Sequence, residues 1–343
     1  MFLKAHFKIL LVRKMSLALK CSDVVFMNQG EPDIYEAYGA TVVAWGGGPD
    51  NENQINEWRQ RIQKTREMGI RYSCSNAWML TATAEALVKD PGLRQAVCVD
   101  INYNPIIPPW LWDYIFREVP SYWGCTNNPR FREHLRNRII LSAQAGADGL
   151  HLDDHIGTAG TIALGGCYCD YCMKGFREYL KKKYTLKDLK EKGINDIESF
   201  NYREMVCRVA HSRQTFINAY KQGEIPLIEE FQTCQLEAAA TLVKELGDLA
   251  KKLLNKPIPV SINSYQLLPT QIVDSPYVDY FVTEVPHNAQ ERKIPASLIF
   301  VYKFADALNK PLAATAAGQD WAYIKENNLT KPVKLFYLIY AQS

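Results

Sequence analysis

The chain has 343 residues, 47% of them hydrophobic and 22% charged, enough to bury a large core and too apolar for a disordered tail. Its formal net charge of +3, with Lys and Arg spread along the length, provides no basic face for nucleic acid or an anionic membrane. No apolar run approaches the ~20 residues that a membrane span needs.

The N-terminal "MFLKAHFKILLVRKMSLALKCS" interrupts its apolar patches with lysines and arginines and lacks a clean small-residue cleavage site, so it does not read as a secretory leader. All of 1–343 reads as a single domain, with 1–30 a poorly defined extension. Nine cysteines cannot all pair within one chain, and their clustering points to metal and a reducing compartment, the cytoplasm.

From residue 41 onward a short apolar run ending in polar or aromatic residues alternates with a longer helical stretch. "TVVAWGGGPD" (41–50) is followed by "NQINEWRQRIQKTREMG", where Ile55, Trp58, Ile62 and Met68 recur near helical spacing. The pattern returns at "IRYSCSNAWML" (70–80), "QAVCVDINYNP" (95–105), "GLHLDDHIG" (149–157), "IPVSINSYQ" (258–266), "VDYFVTEVPH" (278–287) and "KPLAATAAGQDW" (310–321). Seven strands alternating with helices predict a parallel sheet, and one repeated unit over this length favours a (β/α)8 TIM barrel, with an eighth strand not evident at the C-terminus. "HFKILLV" near the N-terminus is a candidate to close it.

In such barrels the C-terminal strand ends carry the chemistry. These ends supply Trp45, Asn76, Trp78, Asn102, Asn263, Tyr265, His287, Asp320 and Trp321. Indoles to stack on rings, with amides and acids to bond hydroxyls, suit a sugar. Asp100 and Asp320 would orient hydroxyls or neighbouring side chains.

"GADGLHLDDHIG" (146–157) is the densest such end. Strand side chains alternate, so Leu150 and Leu152 should face the helices while His151 and Asp153 face the barrel axis. Asp154 and His155 lie where the strand turns, and an acid there can equally cap a helix or hold a loop. Glycoside hydrolysis needs two carboxyl groups across the scissile bond. The expected pair is Asp153 as nucleophile and Glu284, after the apolar run "YFV" and a threonine, as acid/base raised by its surroundings. Asp154 is the alternate carboxylate, and His151 and His155 would line the sugar. A metal-dependent hydrolase using the Asp153, Asp154 and His155 cluster is a further reading.

"GGCYCDYCMKGFREYL" places Cys167, Cys169 and Cys172 in one short loop. A structural zinc ion takes four ligands, and Cys125 of "YWGCTNNPRFREHL" is the natural fourth. The two runs together resemble the zinc-loop region of family 42 glycoside hydrolases, the β-galactosidases of a large retaining barrel clan. That resemblance, specific from about residue 120 to 205, implies a barrel fold, structural zinc on the four cysteines and a carbohydrate substrate.

The family's catalytic pair does not carry over. Its Asn-Glu at the end of strand four reads Asp154-His155 here, and its strand-seven glutamate has no counterpart in "AATAAGQDWAY". A strand-four aspartate with a strand-six carboxylate is instead similar to the layout of α-galactosidase-type barrels, where the aspartate is the nucleophile. The expected function is therefore glycosidic-bond hydrolysis, with a catalytically inactive carbohydrate-binding barrel as the alternative. Partners other than carbohydrate are not implied, although the chain is open to forming a homo-oligomer.

Overall fold

The computed structural model describes residues 19–77, 81–264, 267–285 and 299–316. Seven parallel strands make one sheet: β1 (Val25–Phe26), β2 (Val42–Gly46), β3 (Arg71–Cys74), β4 (Gly149–Leu152), β5 (Val260–Asn263), β6 (Tyr280–Val285) and β7 (Leu312–Ala316). Each pairs with the next, so sheet order equals chain order. That order with parallel neighbours curls a sheet toward a barrel. Val25 of β1 and Ala313 of β7 meet in one apolar cluster with Ala44, Tyr280 and Val282, bringing the two sheet edges together. The result is a nearly closed, incomplete (β/α)8 barrel, as the strand rhythm predicts.

One expected strand is wrong. Residues 95–105 form no part of the barrel: Val97, Val99 and Asp100 make only isolated bridges to Gly124, Pro105 and Gly166. The physical reason lies in Asp100, whose Oδ1 accepts from the backbone amides of Asn102 and Asn104 at 2.8 and 2.9 Å and folds the segment into a tight loop. The sheet therefore passes directly from β3 to β4. The strand that replaces it in the count is β1, inside the stretch read as an extension. "HFKILLV" lies outside the described residues.

Leu150 and Leu152 pack outward against Phe131, Leu135 and Ile139 of the helix Pro129–Gln144 and Leu242, Val243 and Leu246 of the helix Ile228–Leu254. Each buried leucine contributes about 1.5–3 kcal/mol, so this layer fixes which face of β4 points inward. Asn128 starts the first of these helices, its side chain accepting from the Arg130 amide ahead of Pro129 at the first helical position. Between β5 and β6 the connection among described residues is two short 3-10 turns, Pro269–Gln271 and Ser275–Tyr277, instead of an α-helix.

Residues 153–227, between β4 and the helix Ile228–Leu254, leave the barrel and build a second core. There Tyr168 stacks on Phe231 with centroids 5.9 Å apart, and Phe176 meets Tyr202 edge-on at 4.8 Å. No helix among the described residues is long and apolar enough to cross a membrane.

Candidate active site

Strand parity assembles the site in layers. His151 on β4 is paired in register with Ser261 on β5, and its Nδ1 shares a 2.8 Å hydrogen bond with Ser261 Oγ. The ring meets Trp45 of β2 edge-on at 5.6 Å. Two residues past His151 and Ser261, on the same inward face, come Asp153 and Asn263, and β6 adds Glu284, two residues past Val282, the register partner of Asn263. Asn263 Nδ2 lies 3.2 Å from Asp153 Oδ1 and 3.0 Å from Glu284 Oε1. One amide thus joins the two carboxylates expected from sequence.

Burial dominates the electrostatics of the two aspartates. Burial raises the Asp153 carboxyl to about 6; donation from Asn263 and from the Asp154 amide pulls it down, and the Glu284 charge pushes it up. Burial, then the charges of Asp153 and Glu284, hold Asp154 well above the ordinary carboxylate range. Confinement in the cavity thus acts on both aspartates. Asp154 also adopts a left-handed backbone, φ 52°, rare for a residue other than glycine. Its amide donates to Asp153 Oδ1 at 3.0 Å, so the strained turn aims one acid at its neighbour.

These carboxyl groups line a cavity of about 610 Å³ together with Trp110, Trp123, His155 and Gln271. The two indoles meet edge-on at 5.5 Å. Three buried polar atoms of the lining, Asn263 Oδ1, Gln271 Oε1 and His155 Nε2, have no hydrogen-bond partner among the described residues. A buried polar group left unpaired costs about 1–3 kcal/mol, so such a cavity suits a ligand dense in hydroxyl groups.

His155 is held from behind. Its Nδ1 donates to Asp274 Oδ2 at 2.6 Å, both side chains being 3% exposed. That bond leaves Nε2 as the ring's free position. Asp274, Gln271, Trp110 and Trp123 are lining or supporting residues that sequence reasoning missed. The indole pair could have been found from "PPWLW" and "YWGC", but nothing local marks Asp274 in "IVDSP".

Other expected residues fall elsewhere. His151 is completely buried beneath the cavity, its basicity pushed down to about 3 by burial and then by His155; it supports the floor and does not line the cavity. Trp45 packs against it from β2 and is likewise absent from the lining. Asn76 lines a separate cavity and bonds Pro49 O and Ser142 Oγ. Asn102 is exposed and donates to His211 O, a consequence of the 95–105 segment leaving the barrel. Trp78, Tyr265, His287, Asp320 and Trp321 lie outside the described residues.

The cysteines meet as expected. The Sγ atoms of Cys125, Cys167, Cys169 and Cys172 all lie within 4.8 Å of one another, with Cys125 at 3.5 Å from Cys169 and 3.6 Å from Cys172. A tetrahedral ion with sulfur at about 2.3 Å needs edges of roughly 3.8 Å, so the cluster could hold a metal ion. Asn127 Nδ2 and the Val99 amide donate to Cys172 and Cys167 at 3.3 and 3.4 Å. Such donors stabilise negative sulfur. Donation from Cys167, then Cys169 and Cys172, holds the Cys125 thiol well below its usual value, whereas burial pushes Cys172 up. Among the described residues this is the one group of His, Cys, Asp and Glu side chains spaced to take an ion; the cluster at 153–155 is not one.

No protein-family model matches the chain. It is 29% identical over 234 residues to an alpha-agarase of Thalassotalea agarivorans, covering 61% of this chain and 15% of that protein. It is 26% identical over 175 residues to beta-galactosidase BgaA of Thermus sp., covering 43% and 27%. The chain thus spans less than a third of the length of these curated relatives. Among solved structures, beta-galactosidase from the psychrophilic Marinomonas ef1 aligns over 80% of this chain and 42% of its own, with a TM-score of 0.53 at 10% identity. That likeness establishes the fold, and the agarase and galactosidase matches bear out the resemblance to glycoside hydrolase barrels.

Proposed function

We propose that the protein is a glycosidase using Asp153 and Glu284 as its two carboxyl groups. The observation that carries the proposal is the single Asn263 amide bridging them at the floor of a cavity with unpaired polar atoms. Two oxygens held 3.2 and 3.0 Å from one nitrogen cannot be farther apart than those lengths end to end. Oxygens within that limit are compatible with the ~5–5.5 Å between the carboxyl groups of retaining pairs, and retention is the mechanism we adopt.

Each role follows from which carboxyl holds a proton. With its value raised to about 6, Asp153 is suited to hand over a proton near neutral pH, the opposite of the role read from strand position. Glu284 would attack the anomeric carbon while Asp153 passes its proton to the departing oxygen. Water then displaces Glu284 from the glycosyl-enzyme after giving a proton to Asp153, which restores both groups. Asp154 faces the same cavity and can bond a sugar hydroxyl. The relatives act on agar and on β-galactosides by their names, and galactose-containing glycans are the first substrates to try.

We read the cysteine cluster as a structural zinc site, which would clamp the 153–227 excursion to the Cys125 loop without joining in the chemistry. Thiolates of this kind persist under reducing conditions, which favours the cytoplasm.

The test is turnover of aryl galactosides by wild type, Asp153→Asn and Glu284→Gln. Both variants should lose most of the rate on phenols of ordinary acidity. On dinitrophenyl glycosides, whose leaving group needs no proton, Asp153→Asn should retain formation of the glycosyl-enzyme and Glu284→Gln should not. The opposite pattern returns the nucleophile's role to Asp153. A wild type that binds glycans and turns over none of them would favour the inactive binding barrel.

A further inference from the structure

A second cavity of about 510 Å³ opens at the same rim, lined in part by Trp58, Thr81, Glu85, Tyr114, His134 and Arg138. It shares a wall with the first. Consecutive residues Trp110 and Leu111 line the first and the second cavity respectively. Thr81 lines the second and is paired in register, across a short antiparallel ribbon, with Trp123 of the first. One layer of chain therefore separates them. On that layer stand Trp112, 71% exposed, and Tyr114, 43% exposed, so aromatic faces run from Trp123 and Trp110 over the wall to Tyr114.

The chemistry of the second cavity disfavours an anionic occupant. Arg138 is paired with Asp50, which Lys89 also approaches at 3.5 Å, and Glu85 accepts from Tyr114 Oη. Burial pushes His134 down to about 4, so it is neutral near pH 7. Asp50 is thus matched by two cations and His134 is silent, while Glu85 keeps its charge beside a neutral phenol. A polar group nonetheless remains without a partner: Thr81 is 3% exposed, and its Oγ1 has none among the described residues. A cavity whose lining cation is already paired, with an aromatic approach, an acid that can accept from a hydroxyl and an unpaired buried hydroxyl, fits an uncharged polyhydroxyl ligand.

We propose that this cavity is a second carbohydrate subsite, taking the continuation of a neutral oligosaccharide whose other end lies between Asp153 and Glu284, with the Trp110–Tyr114 segment as the saddle it crosses. This rests on the carbohydrate reading of the first cavity but not on its catalytic activity. The protein would then act within polymeric chains and favour long substrates over short ones.

The experiment is calorimetric titration of the full chain with uncharged galactose oligosaccharides of two, four and six units, for wild type, Trp112→Ala and Thr81→Val. Affinity for wild type should rise at least tenfold from two units to six. Trp112→Ala should flatten that rise. Thr81→Val removes an unpaired hydroxyl, so its melting temperature should hold or rise while six-unit affinity falls several-fold, a combination that a merely structural role would not give. Equal affinity for all lengths, a length dependence that survives both variants, or no binding at any length overturns the proposal. Failure of hydrolysis alone, with length-dependent binding intact, would instead remove the glycosidase reading and leave the subsite standing.

Discussion

The cysteine cluster and the carboxylate site lie at the same end of the barrel, yet they are put together in different ways. Three of the four thiols sit within six residues of chain, and the fourth comes from the loop ahead of the helix that feeds β4. The carboxylate site draws Asp153, Asn263 and Glu284 from three strands, separated by more than a hundred residues between the first two. The cluster satisfies its sulfur with nearby N–H donors, whereas the cavity leaves Asn263 Oδ1, Gln271 Oε1 and His155 Nε2 unpaired. One region is satisfied locally and the other carries unpaired polar groups, the contrast by which structural and functional sites differ.

The sharpest way to break that comparison is to neutralise the carboxylates. Asp153→Asn and Glu284→Gln should each lower turnover of unactivated substrate by about 10³-fold or more, roughly 4 kcal/mol of barrier, with the fold retained by circular dichroism. Loss of fold in either variant would mean that the pair is structural and the contrast false.

The reverse experiment acts on the thiols. Cys125→Ser, or a strong chelator applied to wild type, should lower stability by on the order of 3 kcal/mol, read as a lower melting temperature, because metal binding at such a site is folding energy. Below the transition the rate on aryl glycosides should persist. A melting curve indifferent to chelator would make the cluster four reduced thiols.

These contrasts also explain what could be read from sequence. C-x-C-x-x-C is a local signal, and Cys125 was recognisable because it precedes the helix leading into the same strand. Asp153 was legible through parity, since leucines at 150 and 152 commit β4 to one orientation, and Glu284 through its place at a strand end after the apolar "YFV" run. The fold rhythm was legible except where a side chain overrode it, as Asp100 does when it ties 100–104 into a loop. The burial that raises Asp153 and Asp154 is a property of the closed cavity and has no counterpart in linear spacing. For the same reason Asp274, the support of His155, could not have been singled out.

Asn263 tests whether the bridge between the acids matters. Asn263→Ala should cost about 10- to 100-fold in rate, the order expected for losing one positioned donor. It should also move the pH profile. The amide pulls the Asp153 value down, and the Glu284 charge pushes it up, so Asn263→Ala shifts the Asp153 limb of the profile upward and Glu284→Gln shifts it downward. A profile that stays in place in both variants would show that another group governs it.

The smallest effect separates the two regions by stability alone. In the folded chain Asp153 is raised from 3.8 to about 6, so between those values the native state holds a proton that the unfolded state has released. Stability from this residue is therefore greatest below about pH 4 and is lost as pH rises through about 6. Asp153→Asn removes that loss, so the variant should gain on wild type from pH 4 to 6 and level off above it. Solvent reaching the cavity tempers the effect to about 1–2 kcal/mol in all. Urea titrations across that range would read the slope. A variant that becomes more stable as it becomes inactive marks a carboxylate kept against the interest of the fold, whereas every substitution in the cysteine cluster should move stability the other way.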